Sequence, residues 1–150
     1  MRVRRGSGDS GSISIFVALS VSVMLLFIGV VFDCGGALRT LANVDALAQE
    51  AARVGGQQID QGQLLSGNGL LINTTAAYAA ANAYLAPYGL TAQPPDGHPE
   101  PMPLYESSFT VVIKSTYRTA LLGLINVPTL DVRGQGTANL VSDVTKAGTP

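Results

Sequence analysis

The sequence predicts an α+β fold: a long N-terminal transmembrane helix that continues into a stalk, then a short helix packed on a small, mainly antiparallel sheet of about three strands. Three observations carry it. Ile13 to Phe32 runs for twenty residues without a charge. Apolar residues then recur at spacings of three and four as far as Val54, and beyond Pro103 the period changes to two.

The charge-free run sets the frame. At about 1.5 Å per residue, twenty helical residues reach roughly 30 Å, the thickness of a bilayer's hydrocarbon core. Fourteen of them are Leu, Ile, Val or Phe, which together contribute roughly −4 to −8 kcal/mol to insertion. Arg2, Arg4 and Arg5 precede the run, and from Asp33 onward six basic residues stand against nine acidic ones. Basic residues next to a span stay on the cytoplasmic side, so the N-terminus is expected inside and everything after Phe32 outside. With no basic run in the outer part, nucleic acid is not expected as a partner.

Cys34 is the sole cysteine, which rules out an internal disulfide and leaves packing and the anchor to stabilise the outer part. A cysteine just past an apolar run raises lipoprotein anchoring, but Asp33 occupies the place before it where a Gly or Ala belongs. A cleaved secretory signal is the competing reading of the N-terminus, with Cys34-Gly35-Gly36 as the cut. The apolar run is longer than the 7–15 residues such signals use.

Residues 1–12 read as a basic cytoplasmic tail and 13–32 as the transmembrane helix. Ser10 and Ser12 offer N-cap hydroxyls, and Ser20 and Ser22 are expected to bond back to helix carbonyls. Residues 33–56 continue the helix outside the membrane. Leu38, Leu41, Val44, Leu47, Ala48, Ala51 and Val54 form a narrow stripe rich in alanine, to which another surface can come close. Gly55-Gly56 is expected to stop the helix in a left-handed conformation.

Residues 57–145 form a small outer lobe. Gln57 to Leu71 reads as a loop with a short turn around Leu64-Leu65, and Asn73-Thr74-Thr75 caps a helix over Ala76–Leu85 whose shared face holds Tyr78, Ala81 and Leu85. Pro87 ends it. Gln93 to Pro103 holds five of the eight prolines and is expected to be an extended loop. In the first strand Phe109, Val111 and Ile113 point one way and Thr110, Val112 and Lys114 the other. In the second, Leu130 to Val141, Gly134 and Gly136 fall on the inward face, where a bend, a bulge or close backbone contact is expected. Thr119 to Ile125 reads as a helical turn burying Leu121, Leu122 and Ile125 on the sheet. A third strand is expected from Gly89–Ala92 or Leu104–Ser107, since two strands alone do not make a stable sheet. Residues 146–150 read as a flexible end.

Catalytic equipment is not evident. His98 is the only histidine and has no ligand partner at metal spacing; Asp96 and Glu100 beside it make at most an incomplete site. The glycine pairs match no nucleotide loop. We therefore expect no enzyme, no cofactor, no metal and no small-molecule substrate. Asp33, at the outer membrane boundary, is either solvated there or in contact with a helix of another subunit. With Ala37, Leu41, Ala48, Ala51 and Gly55 it makes the set of candidate helix-packing residues, at which small side chains permit close approach.

The run from Gly11 to Gly56 resembles the TadE/TadG-like family of tight-adherence (Flp) pilus assembly proteins, particularly its short actinobacterial type. The resembling features are Gly11-Ser12, the apolar helix, Asp33-Cys34-Gly35-Gly36-Ala37-Leu38 and Leu47-Ala48-Gln49-Glu50-Ala51-Ala52-Arg53-Val54-Gly55. The second half is similar too, through Tyr84-Leu85, Leu121-Leu122-Gly123-Leu124-Ile125 and Gly134-Gln135-Gly136-Thr137-Ala138. The resemblance implies a part in assembling or anchoring an adhesive pilus or a related secretion machine. It also implies a processing glycine, Gly11, followed five residues later by a glutamate. That position is Phe16, so an uncut, membrane-retained subunit is expected.

The expected role is a single-pass structural subunit of the cell (inner) membrane that meets the lipid bilayer, other pilus or secretion subunits, and itself as a homo-oligomer; two further functions are alternatives to it. One is a membrane-anchored module binding wall glycan or a peptide through Gln93–Pro103 with Tyr88 and Tyr105 nearby. The other is a small secreted hydrolase, which needs cleavage after the apolar run.

Overall fold

The computed structural model describes residues 9–97 and 103–140. The basic tail over 1–8, His98, Glu100 and the C-terminal end from 141 lie outside the described residues. The fold is the α+β arrangement expected, a long apolar helix followed by a short helix and small antiparallel sheets.

Helix α1 spans Asp9–Gly56, 48 residues in one piece. It begins before Ile13, so Ser10 and Ser12 lie inside it rather than capping it. Ser22 bonds back as expected, its hydroxyl donating to the Ala18 carbonyl at 2.8 Å. The side chains from Ile13 to Phe32 are almost all exposed, and α1 is, among the described residues, the one helix long and apolar enough to cross a membrane.

After α1 comes α2, Gln61–Leu65, with Asp60 accepting from the Gln63 N–H at its start. Strand β1 (Ile72–Asn73) leads into α3 (Thr74–Leu85), capped by Asn73, whose side chain accepts from the Ala76 N–H at 3.1 Å. Ala77, Ala81 and Leu85 are the fully buried face of α3. A short 3-10 turn over Ala86–Tyr88 ends in Gly89 at φ 65°, a left-handed position that only glycine takes without cost. Strand β2 is Tyr105–Glu106, followed by β3 (Ser108–Arg118) and β4 (Thr129–Asn139).

The sheet differs from the three strands expected. There are two sheets of two strands, β1 with β2 and β3 with β4. Tyr105–Glu106 does become a strand, but it pairs with Ile72–Asn73, because the Thr74 hydroxyl and N–H hold the Pro103 and Leu104 carbonyls at the head of α3. The other candidate, Gly89–Ala92, forms no strand; the residue after it, Gln93, makes a single bridge to Val112. That contact helps explain why Val112, expected to face outward, is buried although it stands outside the main core.

In the β3–β4 hairpin the register runs without a bulge from Ser108↔Asn139 to Arg118↔Thr129. One face therefore carries Phe109, Val111, Ile113, Ser115 and Tyr117 opposite Ala138, Gly136, Gly134, Val132 and Leu130. The core is where that face meets the helices: Val44, Ala48, Ala51 and Ala52 of α1, Ala77, Ala81 and Leu85 of α3, and Phe109, Val111 and Ile113. The outer half of α1 is thus more than a stalk, since it is the central element of the lobe's packing. α3 lies beside it, and Tyr78 reaches across to stack edge-on against Phe109, ring centroids 4.7 Å apart, and to donate to the Thr110 carbonyl at 2.9 Å. Burial, with the Glu106 carboxylate nearby, pushes the Tyr78 phenol up to about 12.

Glycines set the distance between β4 and α1. A Cβ on Gly136 would stand 2.2 Å from the Ala48 carbonyl oxygen, and one on Gly134 2.6 Å from the Val44 carbonyl carbon. The strand lies directly on helix backbone, which is the close contact expected there. Between the two glycines, the Gln135 N–H points out of the sheet edge and is taken by the Asp45 carboxylate at 3.0 Å, so the helix covers an edge that would otherwise be open to pairing. Gly55 and Gly56 serve the same end. Neither has a positive φ; instead Phe109 packs where a Gly55 Cβ would be and Ala138 where a Gly56 Cβ would be. They are packing glycines rather than a left-handed cap.

Gly136→Ala is therefore expected to cost about 1–3 kcal/mol through overpacking against rigid backbone. Gly35→Ala, at a helical glycine with nothing within 4 Å of the added carbon, is expected to be neutral or to gain about 0.5–1 kcal/mol. Thermal unfolding of the two variants in the same detergent checks the contrast.

Candidate functional site

One stripe of α1 carries its closest contacts with the rest of the chain. Gly29, Asp33, Gly36, Val44, Ala48, Ala51 and Gly55 follow one another at helical spacings and lie on the covered side. All but Val44 and Asp33 are Gly or Ala, and among the described residues Asp33 is the one charged residue that is completely buried.

Asp33 meets the loop that joins β3 to β4. The loop is closed at its neck by Thr119, whose N–H donates to the Pro128 carbonyl at 3.1 Å and whose hydroxyl donates to that of Val127. Inside the neck the chain makes a 3-10 turn, Leu122–Ile125, ended by Asn126 at φ 69°. The first N–H groups of any helical turn have no partner within it, and here they converge on one carboxylate. Ala120 N–H donates to Asp33 Oδ1 at 2.7 Å, and Leu121 and Leu122 N–H donate to Oδ2 at 2.9 and 2.6 Å. The Tyr117 hydroxyl stands near the carboxylate and favours its ionised form. Hydrogen bonds to an ionised acceptor are short and strong, and three donors justify burying the charge.

Two glycines make the junction fit. A Cβ on Gly36 would stand 2.2 Å from the Tyr117 hydroxyl oxygen, so the tyrosine lies over bare helix backbone to reach Asp33. A turn further toward the N-terminus, a Cβ on Gly29 would stand 3.0 Å from Leu121 Cβ. The turn after Thr119 was expected to bury its leucines on the sheet. It docks instead on α1, because Asp33 draws its N–H groups and Gly29 admits Leu121.

The candidate helix-packing residues are placed as follows. Asp33, Ala48, Ala51 and Gly55 are buried, and Ala37 and Leu41 half-buried, against this chain's own hairpin and α3. Leu38, expected on the same stripe, is 65% exposed; the covered side follows the small residues and Asp33 rather than the leucines. Cys34 is exposed. Gly11 lies in the first turn of α1. Gly29, Gly36 and Tyr117 were not singled out in the sequence. The available signal was the spacing Gly29, Asp33, Gly36, which puts a carboxylate between two gaps on one face, and the alternation that carries Tyr117 to the inward face of β3.

An open cleft of about 630 Å³ between Gly89-Leu90 and the hairpin is lined by Lys114, Asp131 and Arg133. Asp96 is paired with Arg133, whose guanidinium holds its carboxyl below the usual range. Among the described residues no group of three or more His, Cys, Asp or Glu side chains stands at metal-binding distance. Tyr88 is exposed and Tyr105 belongs to β2.

Residues 11–58 match the family Tad, described as putative Flp pilus-assembly TadE/G-like. No curated protein and no solved structure matches the chain. The resemblance read from the sequence holds over this segment, which takes in almost all of α1, with Gly29, Asp33, Gly36 and the whole alanine seam. The segment supports a role related to Flp pilus assembly.

Asp33→Ala strips three N–H donors of one shared acceptor, whereas Asp45→Ala frees a single N–H at the sheet edge. The first is expected to lower the unfolding temperature in detergent well below the second, and to open the chain to proteolysis between Arg118 and Thr129. Gly36→Ala should reproduce part of the Asp33 effect by displacing Tyr117, while Gly35→Ala should not.

Proposed function

We propose that the chain is a membrane-anchored, non-enzymatic structural or assembly subunit, minor-pseudopilin-like, of a tight-adherence (Flp) pilus or a related secretion system. It is a single-pass protein of the cell (inner) membrane, with the N-terminus in the cytoplasm and the lobe outside. The observation that carries this reading is the family match over α1, together with a helix whose first twenty apolar residues are bare. Arg2, Arg4 and Arg5 support the orientation.

The structure bears on where other subunits touch it. The stripe containing Asp33, Ala48, Ala51 and Gly55 is covered by the chain's own lobe, so contacts with neighbours fall to the bare span and to the opposite side of α1, where Leu38, Ala42 and Ala46 are exposed. Small residues on that side suit close helix packing. With Phe16 where a pseudopilin carries glutamate, a cut at Gly11 would leave the new amine without its carboxylate in an apolar bundle, which favours an uncut subunit.

Deleting the gene should abolish or strongly reduce surface pili, with restoration by the full chain. A photo-crosslinking residue at Val17 or Ala42 should capture membrane subunits of the pilus system in native cells, and mass spectrometry of the recovered protein should find Gly11 internal. Normal piliation after deletion, with crosslinks to lipid only, would contradict the proposal.

A further inference from the structure

We propose that the tip of the β3–β4 hairpin, Leu121–Val127, is a second membrane contact of this chain, seated among lipid acyl chains beside α1. The inference rests on the reading of Ile13–Phe32 as a membrane span and goes beyond it, since it assigns a lipid-facing role to a segment some ninety residues away in sequence.

Four features carry it. The segment from Thr119 to Pro128, TALLGLINVP, has no charge, whereas Lys114, Arg118, Asp131 and Arg133 lie just behind it on the strands. Its large apolar side chains are turned outward: Leu124 is 84% exposed and Ile125 53%. A soluble turn of this length ordinarily carries polar residues at those places.

Position comes next. The tip packs against α1 on the membrane side of Asp33, at Gly29, and shares an apolar cleft of about 350 Å³ with Leu25, Leu26 and Val30. Gly29 and Leu25 stand four and eight residues before Asp33, roughly 6 and 12 Å down the helix. If Asp33 marks the boundary, the tip sits at the depth of about 5–10 Å that interfacial apolar elements occupy. Its exposed face is continuous with the bare surface of the span, so the same acyl chains that solvate Leu25 and Ile28 reach Leu124 and Ile125.

Third, the backbone is prepared for a medium without water, where each unpaired N–H is costly. Asp33 takes the N–H groups of Ala120, Leu121 and Leu122. Those of Leu124, Asn126 and Val127 go to carbonyls of the turn itself, at 3.1, 3.3 and 3.1 Å. Fourth, Pro128 brings no N–H at all, and Asn126 holds the left-handed position that ends the turn. Asp33 is then the polar clamp by which a soluble-looking lobe tolerates a greasy foot.

The test uses full-length protein carrying Cys34→Ser, reconstituted in vesicles of phosphatidylethanolamine and phosphatidylglycerol, with one spin label at a time on cysteines placed at Leu124, Val17 or Lys114. The label at Leu124 should collide with dissolved oxygen in preference to an aqueous nickel chelate, as the Val17 label does, and the Lys114 label should show the reverse. Nickel-accessible Leu124 beside lipid-buried Val17 would overturn the foot and leave the span intact. Nickel-accessible labels at both sites would overturn the span itself. A Leu124 label shielded from both reagents would mean that protein, a partner helix or a second copy, covers the tip, and would also overturn the proposal.

Discussion

The fold depends on a single buried carboxylate. Asp33 sits at the point where α1 changes from a bare apolar rod to a covered element, and its oxygens hold the loop that closes the last hairpin. Burying such a charge is unfavourable unless its lone pairs are filled. Here three backbone N–H groups fill them, so the charge and the loop are each other's solution. The consequence is positional: the hairpin cannot slide along α1 or swing away from it without leaving an ion, or a row of N–H groups, unpaired.

From that point upward the contact is held by the absence of side chains. Gly36, Gly134, Gly136, Gly55 and Gly56 let ring, strand and helix backbones meet at distances a Cβ would forbid, and Ala48, Ala51, Ala77 and Ala81 keep the layers thin. A core built this way buries little apolar area per residue. Its specificity comes from shape, since only one register places both β4 glycines over the backbone of α1 while Gln135 reaches Asp45. Phe109, packed on Gly55 and against Tyr78, is the one fully buried ring among the described residues, and Ile72, Leu85, Val111 and Ile113 supply the other large side chains of the core.

Much of this was legible in the sequence where local rules apply. The long apolar run, the unbroken helix, the Asn73 cap, the strand over Phe109–Ile113 and the close approach at Gly134 and Gly136 all follow from spacing and side-chain size. What was missed is long-range. Tyr105–Glu106 looked like a third strand of the main sheet, and no local pattern says that Thr74 would claim Pro103 and Leu104 first. Leu121 and Leu122 looked like core leucines for the sheet; their destination on α1 depends on Asp33 nearly ninety residues earlier. The stripe on α1 was read from its leucines, although the covered side is marked by its gaps. At the site itself Asp33 was visible as an anomaly, but its partners were backbone N–H groups, which carry no signature in sequence.

These features give a chain whose long apolar helix and α+β lobe form one piece, with one side of the helix left uncovered; in the proposed subunit that side is the one left for neighbours. In the proposed assembly such a piece would transmit to its lobe any tilt or rotation imposed on the helix, which a lobe on a loose stalk would not do. Residue-resolved amide hydrogen exchange on the full chain in lipid nanodiscs tests this claim most directly. The account predicts that the N–H groups of Gln135, Ala120, Leu121 and Leu122 exchange as slowly as those of the β3–β4 ladder. Rapid exchange at Gln135 and the loop, with the ladder still protected, would show a hairpin detached from α1 and would contradict it.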